Sequence, residues 1–360
     1  MSFVYSIPTT GSISFSEFLL DQDKLYLNGI SEATAQRGRV RAVLKEANKT
    51  EGPIDYTKII KTVDDYLPYL LAIVDCLECG QLKLKKEIET SWRCSLTDSV
   101  LNKKKKPRVS CKGIYYELIF TLLTYGYTCS DWATSIIERQ TNKDEMDLKL
   151  RQAADLLRKA SGIFAYITEN ISPRWENPPN SRPLDVLTEI STSLSKIALA
   201  DASSIAIRKA LMQQKSSSLL AKLAIGVAVE YESANGLLNS LKDPQKVCGN
   251  FRKYVSNGAL FHQQRMPTNI RFIKEAREAF HQISKSKSST LAIHASQEYT
   301  EITFDTVPSR ADLQALIPGG RIVQELTKYS KPDPAFGPYK EQQIESAALN
   351  SLPFVSYFAN

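Results

Sequence analysis

The sequence predicts a mainly α, elongated protein, and three observations carry that reading. Apolar residues recur every three or four positions between 150 and 229. They fall at Ala153, Leu156, Ala160, Ile163 and Ile167, at Leu187, Ile190, Leu194 and Ile197, and at Leu220, Ala224, Val227 and Tyr231. That step lays one apolar stripe along an α-helix. The breaks between these sets are polar. At 360 residues the chain is also too long for one compact core, so it divides into domains or extends as a repeat-like array. Almost nothing along 150–229 has the chemistry for catalysis, and long helices with polar breaks serve as scaffolds that present a surface.

Taken in order, residues 1–30 read as an irregular or strand-containing start punctuated by Pro8, Gly11 and Gly29. Ser31 is placed to cap a helix over 32–48. A second helix follows Pro53, with its stripe at Ile59, Val63, Leu67, Leu71 and Val74. Pro68 predicts a kink or break within it, and Gly80 ends it. Leu82, Leu84, Ile88 and Trp92 alternate with charged residues and predict one or two short strands. Residues 97–110 form a basic loop. The run 115–138 is apolar nearly all round and is expected to be the most buried helix.

Asn142 with Glu145 opens a helix over 143–170 in capping-box style. SPRWENPPNSRP is a rigid polar connector. Pro183 opens a helix to about 214, Ser216 to Ser218 mark a turn, and the next helix stops at Asp243-Pro244. A helical hairpin is expected over 258–283 around Pro267, then a flexible break at 285–289 and a short extended EITFDTVP. The chain divides into a helical domain over 1–330 and a Pro-containing strap or tail over 331–360.

The formal charge of +7 admits acidic partners but is small for this length. Six cysteines without a regular framework suit reduced thiols. No basic region followed by an apolar run opens the chain, and no stretch reaches the ~18 apolar residues of a membrane span. Cys76 and Cys79 have CxxC spacing but lack the second pair that zinc requires, so they read as buried structural residues. His262, His281 and His294 fit no metalloprotease or nucleophile-elbow pattern. Gly319 and Gly320 lack the Walker spacing. No catalytic residue, metal or cofactor is therefore expected.

Arg37, Arg41, Lys45 and Lys49 line one helix face and read as a solvated stripe. Without interleaved aromatics, neither they nor Lys103 to Lys106 suggest nucleic acid. Both basic groups are compatible with weak contact to an anionic membrane. In the helix beginning near 219, Leu219 and Leu223 lie on the shoulder of the core stripe, rotated by roughly 60–100° at 100° per residue. Such leucines meet another internal helix or line a docking groove.

Several blocks together resemble the Bro-type domain family. ASGIFAYI (160–167) is similar to one of its helices. LADASSIAIRKAL (199–211) followed by LLAKLA (219–224) is similar to two more, and ITFDTVPSRADLQALIPGGRI resembles its closing segment. SIPTTGSISF, YLPYLLAI, EIETSWRC…PRVSCKGIYYELIFTLLTYGY and IPGGR…PDPAFGP resemble its fungal pH-response branch. The resemblance covers most of 1–340.

It implies a boomerang-shaped helical domain with tetratricopeptide-like hairpins and a small β element near the N-terminal third. It also implies a non-enzymatic cytoplasmic adaptor, recruited to cortical plasma-membrane or endosomal sites and associated with a pH-signalling receptor complex. The implied ligand is the C-terminal amphipathic helix of the main ESCRT-III filament subunit, taken up in a surface groove. Carried over by position, the groove's aliphatic residues are Leu219 and Leu223, with Leu148 and Ile322 or Val323 less securely aligned. Lys209, Lys222 and Arg321 fall at its basic positions. The chain departs from the family in having Ala206 where an aromatic is usual, which implies a shallower groove.

Overall fold

The structure is a computed structural model describing residues 2–22, 24–49, 52–98, 106–138, 143–215, 217–264 and 322–338. Seven α-helices dominate these residues: α1 Leu27–Ala47, α2 Tyr56–Glu78, α3 Ile114–Glu138, α4 Lys143–Tyr166, α5 Thr188–Met212, α6 Ser217–Asn239 and α7 Gly249–Gln264. Each helix packs chiefly on its sequence neighbours, the arrangement expected of amphipathic helices stacked as an array. Two small antiparallel ribbons interrupt the series. β1 Leu19–Leu20 pairs with β2 Lys83–Leu84, and β3 Glu89–Arg93 pairs with β4 Arg108–Lys112.

Local chemistry explains most boundaries. The Asp55 carboxylate accepts the Lys58 amide and caps α2, which ends where Gly80 takes φ +72°. α2 continues unbroken through Pro68, where a kink or break was expected. α1 starts at Leu27, ahead of the expected Ser31 cap, because the Asp21 carboxylate accepts the Tyr26 amide and ties down the preceding turn. α3 is buried on nearly every face. α4 gives way to a widened π turn over Ile167–Ile171. The basic stretch read as a loop contributes strand β4 from Arg108. The capping residue Asn142, the second half of the 258–283 hairpin and the EITFDTVP segment lie outside the described residues, as does most of the Lys103 to Lys106 run.

The largest departure from the sequence reading lies in α1. Arg37 is 1% exposed, not one of a solvated stripe. Its Nε donates to Glu117 Oε1 at 2.8 Å and its Nη2 to Oε2 at 3.1 Å. Nη1 donates to the Gly11 carbonyl at 2.7 Å, and Nη2 also reaches Thr10 Oγ1 at 2.6 Å. Glu117 is fully buried and also accepts from Tyr66 Oη at 3.1 Å and Trp92 Nε1 at 2.7 Å. A buried ion pair survives when hydrogen bonds satisfy its remaining valences, and here both carboxylate oxygens receive two donors. This knot joins α1, α2, α3, β3 and the N-terminal segment. That segment runs beside β3 through Gly11 N to Ser91 O at 3.0 Å and Arg93 N to Thr9 O at 2.8 Å.

The cysteines are all free thiols. Cys79 is exposed, against the expectation of a buried pair, while Cys76 is buried and burial pushes its thiol up to about 11. Among the described residues no cluster could hold a metal ion, and no helix is long and apolar enough to cross a membrane.

Candidate partner-binding groove

Most of the candidate residues lie on three helices, α4, α5 and α6, each antiparallel to the next. Ser161 meets Ser195 Oγ at 3.0 Å, while fourteen residues away in opposite directions Asp147 meets Lys209 at 2.8 Å. α4 and α5 therefore run antiparallel. α5 and α6 do likewise, since Lys196 pairs with Glu230 at 3.2 Å and Ser193 Oγ donates to Ala234 O at 3.3 Å. The C-terminal third of α5 consequently lies between the N-terminal thirds of α4 and α6.

A segment outside any helix or strand, 322–338, crosses these helices. The Ile322 amide donates to Lys222 O of α6 at 3.1 Å and the Gln324 amide to Ser203 Oγ of α5 at 3.3 Å. The Thr327 amide donates to Arg158 O of α4 at 3.1 Å, and Arg158 Nε returns a bond to the Glu325 carbonyl at 2.6 Å. Further along, Tyr329 packs edge-on against Tyr166 and Tyr125. The Ala335 amide then donates to Pro68 O at 3.0 Å, and Phe336 sits against Tyr26 and Tyr69.

Beside this strap lie several of the sequence-derived candidates. Within α6, Leu219 points within about 20° of Gly226, with Lys222 and Leu223 flanking that direction by about 40° and 60°. Leu219 is half-buried and packs on the main core. Leu223 is 4% exposed and belongs to that core, which corrects its reading as an open shoulder residue. The physical reason is crowding: α6 packs on α5 and α7 and is crossed by the strap, so Ile225, Ala228 and Val229 are buried as well. Val323 is half-buried with a methyl close over Gly226, and Ile322 is 38% exposed. Lys209, Lys222 and Ala206 are half-buried.

Leu148 is 66% exposed on α4, next to the Asp147 that pairs with Lys209. Arg321 lies outside the described residues.

Sequence reasoning missed Asp147. It accepts Lys209 Nζ at 2.8 Å and Arg151 Nη2 at 3.4 Å, and the Lys209 hydrogen bond holds its carboxyl below the ordinary range. Also missed were Gly162 and Gly226, over which the strap lies. Each follows a basic residue by four positions, Arg158 and Lys222, and those are the residues whose carbonyls the strap engages.

The surface thus combines half-buried aliphatic groups with two lysines and one carboxylate, a composition suited to an amphipathic helix. A family model, the BRO1-like domain, matches residues 38–266, which holds α2 to α7 and the C-terminal part of α1. The chain belongs to the BRO1-like domain family. It is 30% identical over 285 residues to the pH-response regulator protein palC of Cryptococcus neoformans var. neoformans serotype D (strain B-3501A), covering 67% of this chain and 58% of that protein. To the palC protein of Yarrowia lipolytica it is 27% identical over 277 residues, covering 71% and 60% respectively. The chain therefore spans about three fifths of the length of these fungal relatives. Among solved structures, the ALIX BRO1 domain in complex with CHMP4C superposes with a TM-score of 0.54 at 17% identity. That match covers 93% of this chain and 97% of the other. At such identity the match establishes the fold, which is that of a BRO1 domain.

Proposed function

We propose that this BRO1-family chain is a non-enzymatic adaptor whose groove takes the C-terminal amphipathic helix of the main ESCRT-III filament subunit. It would thereby bring ESCRT assembly to ambient alkaline-pH signalling at cortical plasma-membrane or endosomal sites in fungi. The observation that carries the reading is half-buried Leu219 and Lys222 on α6 beside Val323 of a strap that crosses α4, α5 and α6, with half-buried Lys209 in the C-terminal third of α5. The palC relatives support the signalling context. The ALIX BRO1 domain, solved in complex with CHMP4C, supports the class of partner.

In this reading the ligand lays its apolar side along Leu219, Val323 and Ile322. Its acidic side faces Lys222 and Lys209, while Asp147 offers an acceptor to a donor on the ligand. Burying one aliphatic anchor is worth ~1.5–3 kcal/mol, so two or three anchors support micromolar binding after association costs. Ala206 leaves the floor beside Lys209 shallow, so affinity rests on the aliphatic side of the groove. The test is calorimetric titration of the whole chain with the isolated ESCRT-III tail helix. A dissociation constant in the micromolar range, on the order of 10⁻⁶ to 10⁻⁵ M, is expected. Absence of heat up to about 1 mM, where binding energy falls to ~4 kcal/mol, overturns the proposal.

A further inference from the structure

Two helices beneath the strap share a local design. In α6, Lys222 presents its carbonyl to the Ile322 amide, and Gly226 follows four residues later. In α4, Arg158 presents its carbonyl to the Thr327 amide, and Gly162 follows four residues later. A helix carbonyl already accepts the amide four residues on, and where a crossing backbone lies directly on the overlying turn, that turn has no room for a side chain.

Both glycines meet that condition. A Cβ on Gly226 would fall well inside contact with the Ile322 carbonyl oxygen, and one on Gly162 inside contact with that of Thr327. Both glycines sit in helix interiors, where glycine is otherwise disfavoured relative to alanine. Gly236, in the same helix as Gly226, has nothing within 4 Å of the site a Cβ would take.

We infer that Gly226 and Gly162 are positioning residues for partner binding: they form two bare saddles that seat the 322–327 strap and hold Ile322 and Val323 at the edge of the groove. The inference rests on the adaptor reading above and adds a dependence which that reading does not contain. The helices supply Leu219, Lys222 and Lys209 whether or not the strap is seated. The aliphatic pair on the strap reaches the ligand only if its backbone lies directly on α6. Gly226 governs the end next to the groove, and Gly162 the next anchor along the strap.

The experiment uses the full chain in four forms: wild type, Gly226→Ala, Gly162→Ala and Gly236→Ala, each titrated with the isolated ESCRT-III tail helix. Amide hydrogen exchange is followed in parallel. Gly226→Ala is expected to weaken binding at least tenfold and to speed exchange of the Ile322 amide, while the amides of the α6 core remain protected. Gly162→Ala should speed exchange at Thr327 and weaken binding by a smaller factor. Gly236→Ala should bind as wild type does.

A coupling measurement separates positioning from general damage. Ile322→Asp should weaken binding in the wild-type background and add nothing in the Gly226→Ala background, because the side chain has already left the groove. Equal binding by the Gly226→Ala and Gly236→Ala forms, with wild type binding normally, overturns this inference and leaves the adaptor reading intact. No binding by wild type overturns the adaptor reading, and this inference with it.

Discussion

The Arg37–Glu117 knot and the groove beside Lys209 use the same side-chain chemistries to opposite ends. Both contain a cation paired with a carboxylate near aromatic or aliphatic groups. In the knot every partner is buried and each carboxylate oxygen has two donors, so nothing remains to offer a ligand. In the groove Lys209, Lys222, Leu219 and Val323 are half-buried, which leaves both apolar area and charge to be covered. A saturated polar cluster locks elements together, whereas a partly exposed one can recognise. Burial and hydrogen-bond satisfaction, more than residue type, separate the structural knot from the candidate recognition residues.

Four experiments break or sharpen that comparison, the first with the largest effect. Glu117→Ala strands the Arg37 guanidinium in a dry site and is expected to cost about 3–5 kcal/mol of stability. Urea unfolding monitored by circular dichroism should show it. A loss below about 1 kcal/mol, the scale of an exposed pair, would mean that the knot is not load-carrying as described.

The second concerns a buried carboxylate held chiefly by tyrosine hydroxyls. Asp201 lies about 160° around α5 from Ser203 and accepts hydrogen bonds from Tyr231 and Tyr254. Burial raises its carboxyl to about 6 despite those bonds. The folded state therefore holds the proton more tightly than the unfolded chain does. The associated stability is fully present below the unfolded value near 3.9 and is lost as pH rises through about 6, on the order of 2–3 kcal/mol. Asp98 and Glu78, with carboxyls held low against burial by Lys106 and Arg174 respectively, act with the opposite sign. The difference between wild type and Asp201→Asn isolates the effect. Parallel pH profiles of unfolding for the two proteins would refute it.

Third, Leu219→Asp should weaken the ESCRT-III helix at least tenfold, about 1.4 kcal/mol, with little change in unfolding midpoint. Leu223→Asp should instead destabilise the fold by a few kcal/mol, because it buries a charge in the core. Similar stabilities for the two variants would show that they do not occupy different environments. The smallest effect is electrostatic. Lys209→Gln with Lys222→Gln should slow association with an acidic helix at low salt, and the difference should fade as salt screens exposed charge. Stopped-flow rates that are insensitive to salt in wild type would remove the lysines from recognition.

Much of the fold was legible in advance because helix formation leaves a local periodic trace. The stripe at Leu220, Ala224, Val227 and Tyr231 is buried, and α3 is the apolar core helix its composition suggested. The short strands around Trp92 and Leu84 were legible from alternation. Long-range environments were not. Arg37 shares its spacing with Arg41 and Lys45, and nothing local shows that Glu117, eighty residues on, waits inside for it. Leu219 and Leu223 likewise look equivalent on a helical wheel, yet one is half-buried and the other lies in the core.

Of this strap the sequence reading marked only the part from Lys331 onward, as a Pro-containing strap or linker. Its path over Gly226, Ser203 and Gly162 needed coordinates, although the repeated spacing of a basic residue and glycine was present in the sequence.

By itself, the sequence determined the helical elements, their apolar faces and, through its resemblance to known blocks, the family. Those properties depend on neighbours within one or two turns, where period and capping dominate. Only the tertiary structure decided which charged and aliphatic residues are sealed and which face outward. That outcome depends on what a distant segment brings to the same place, and a single strand of backbone laid across a helix is enough to change it.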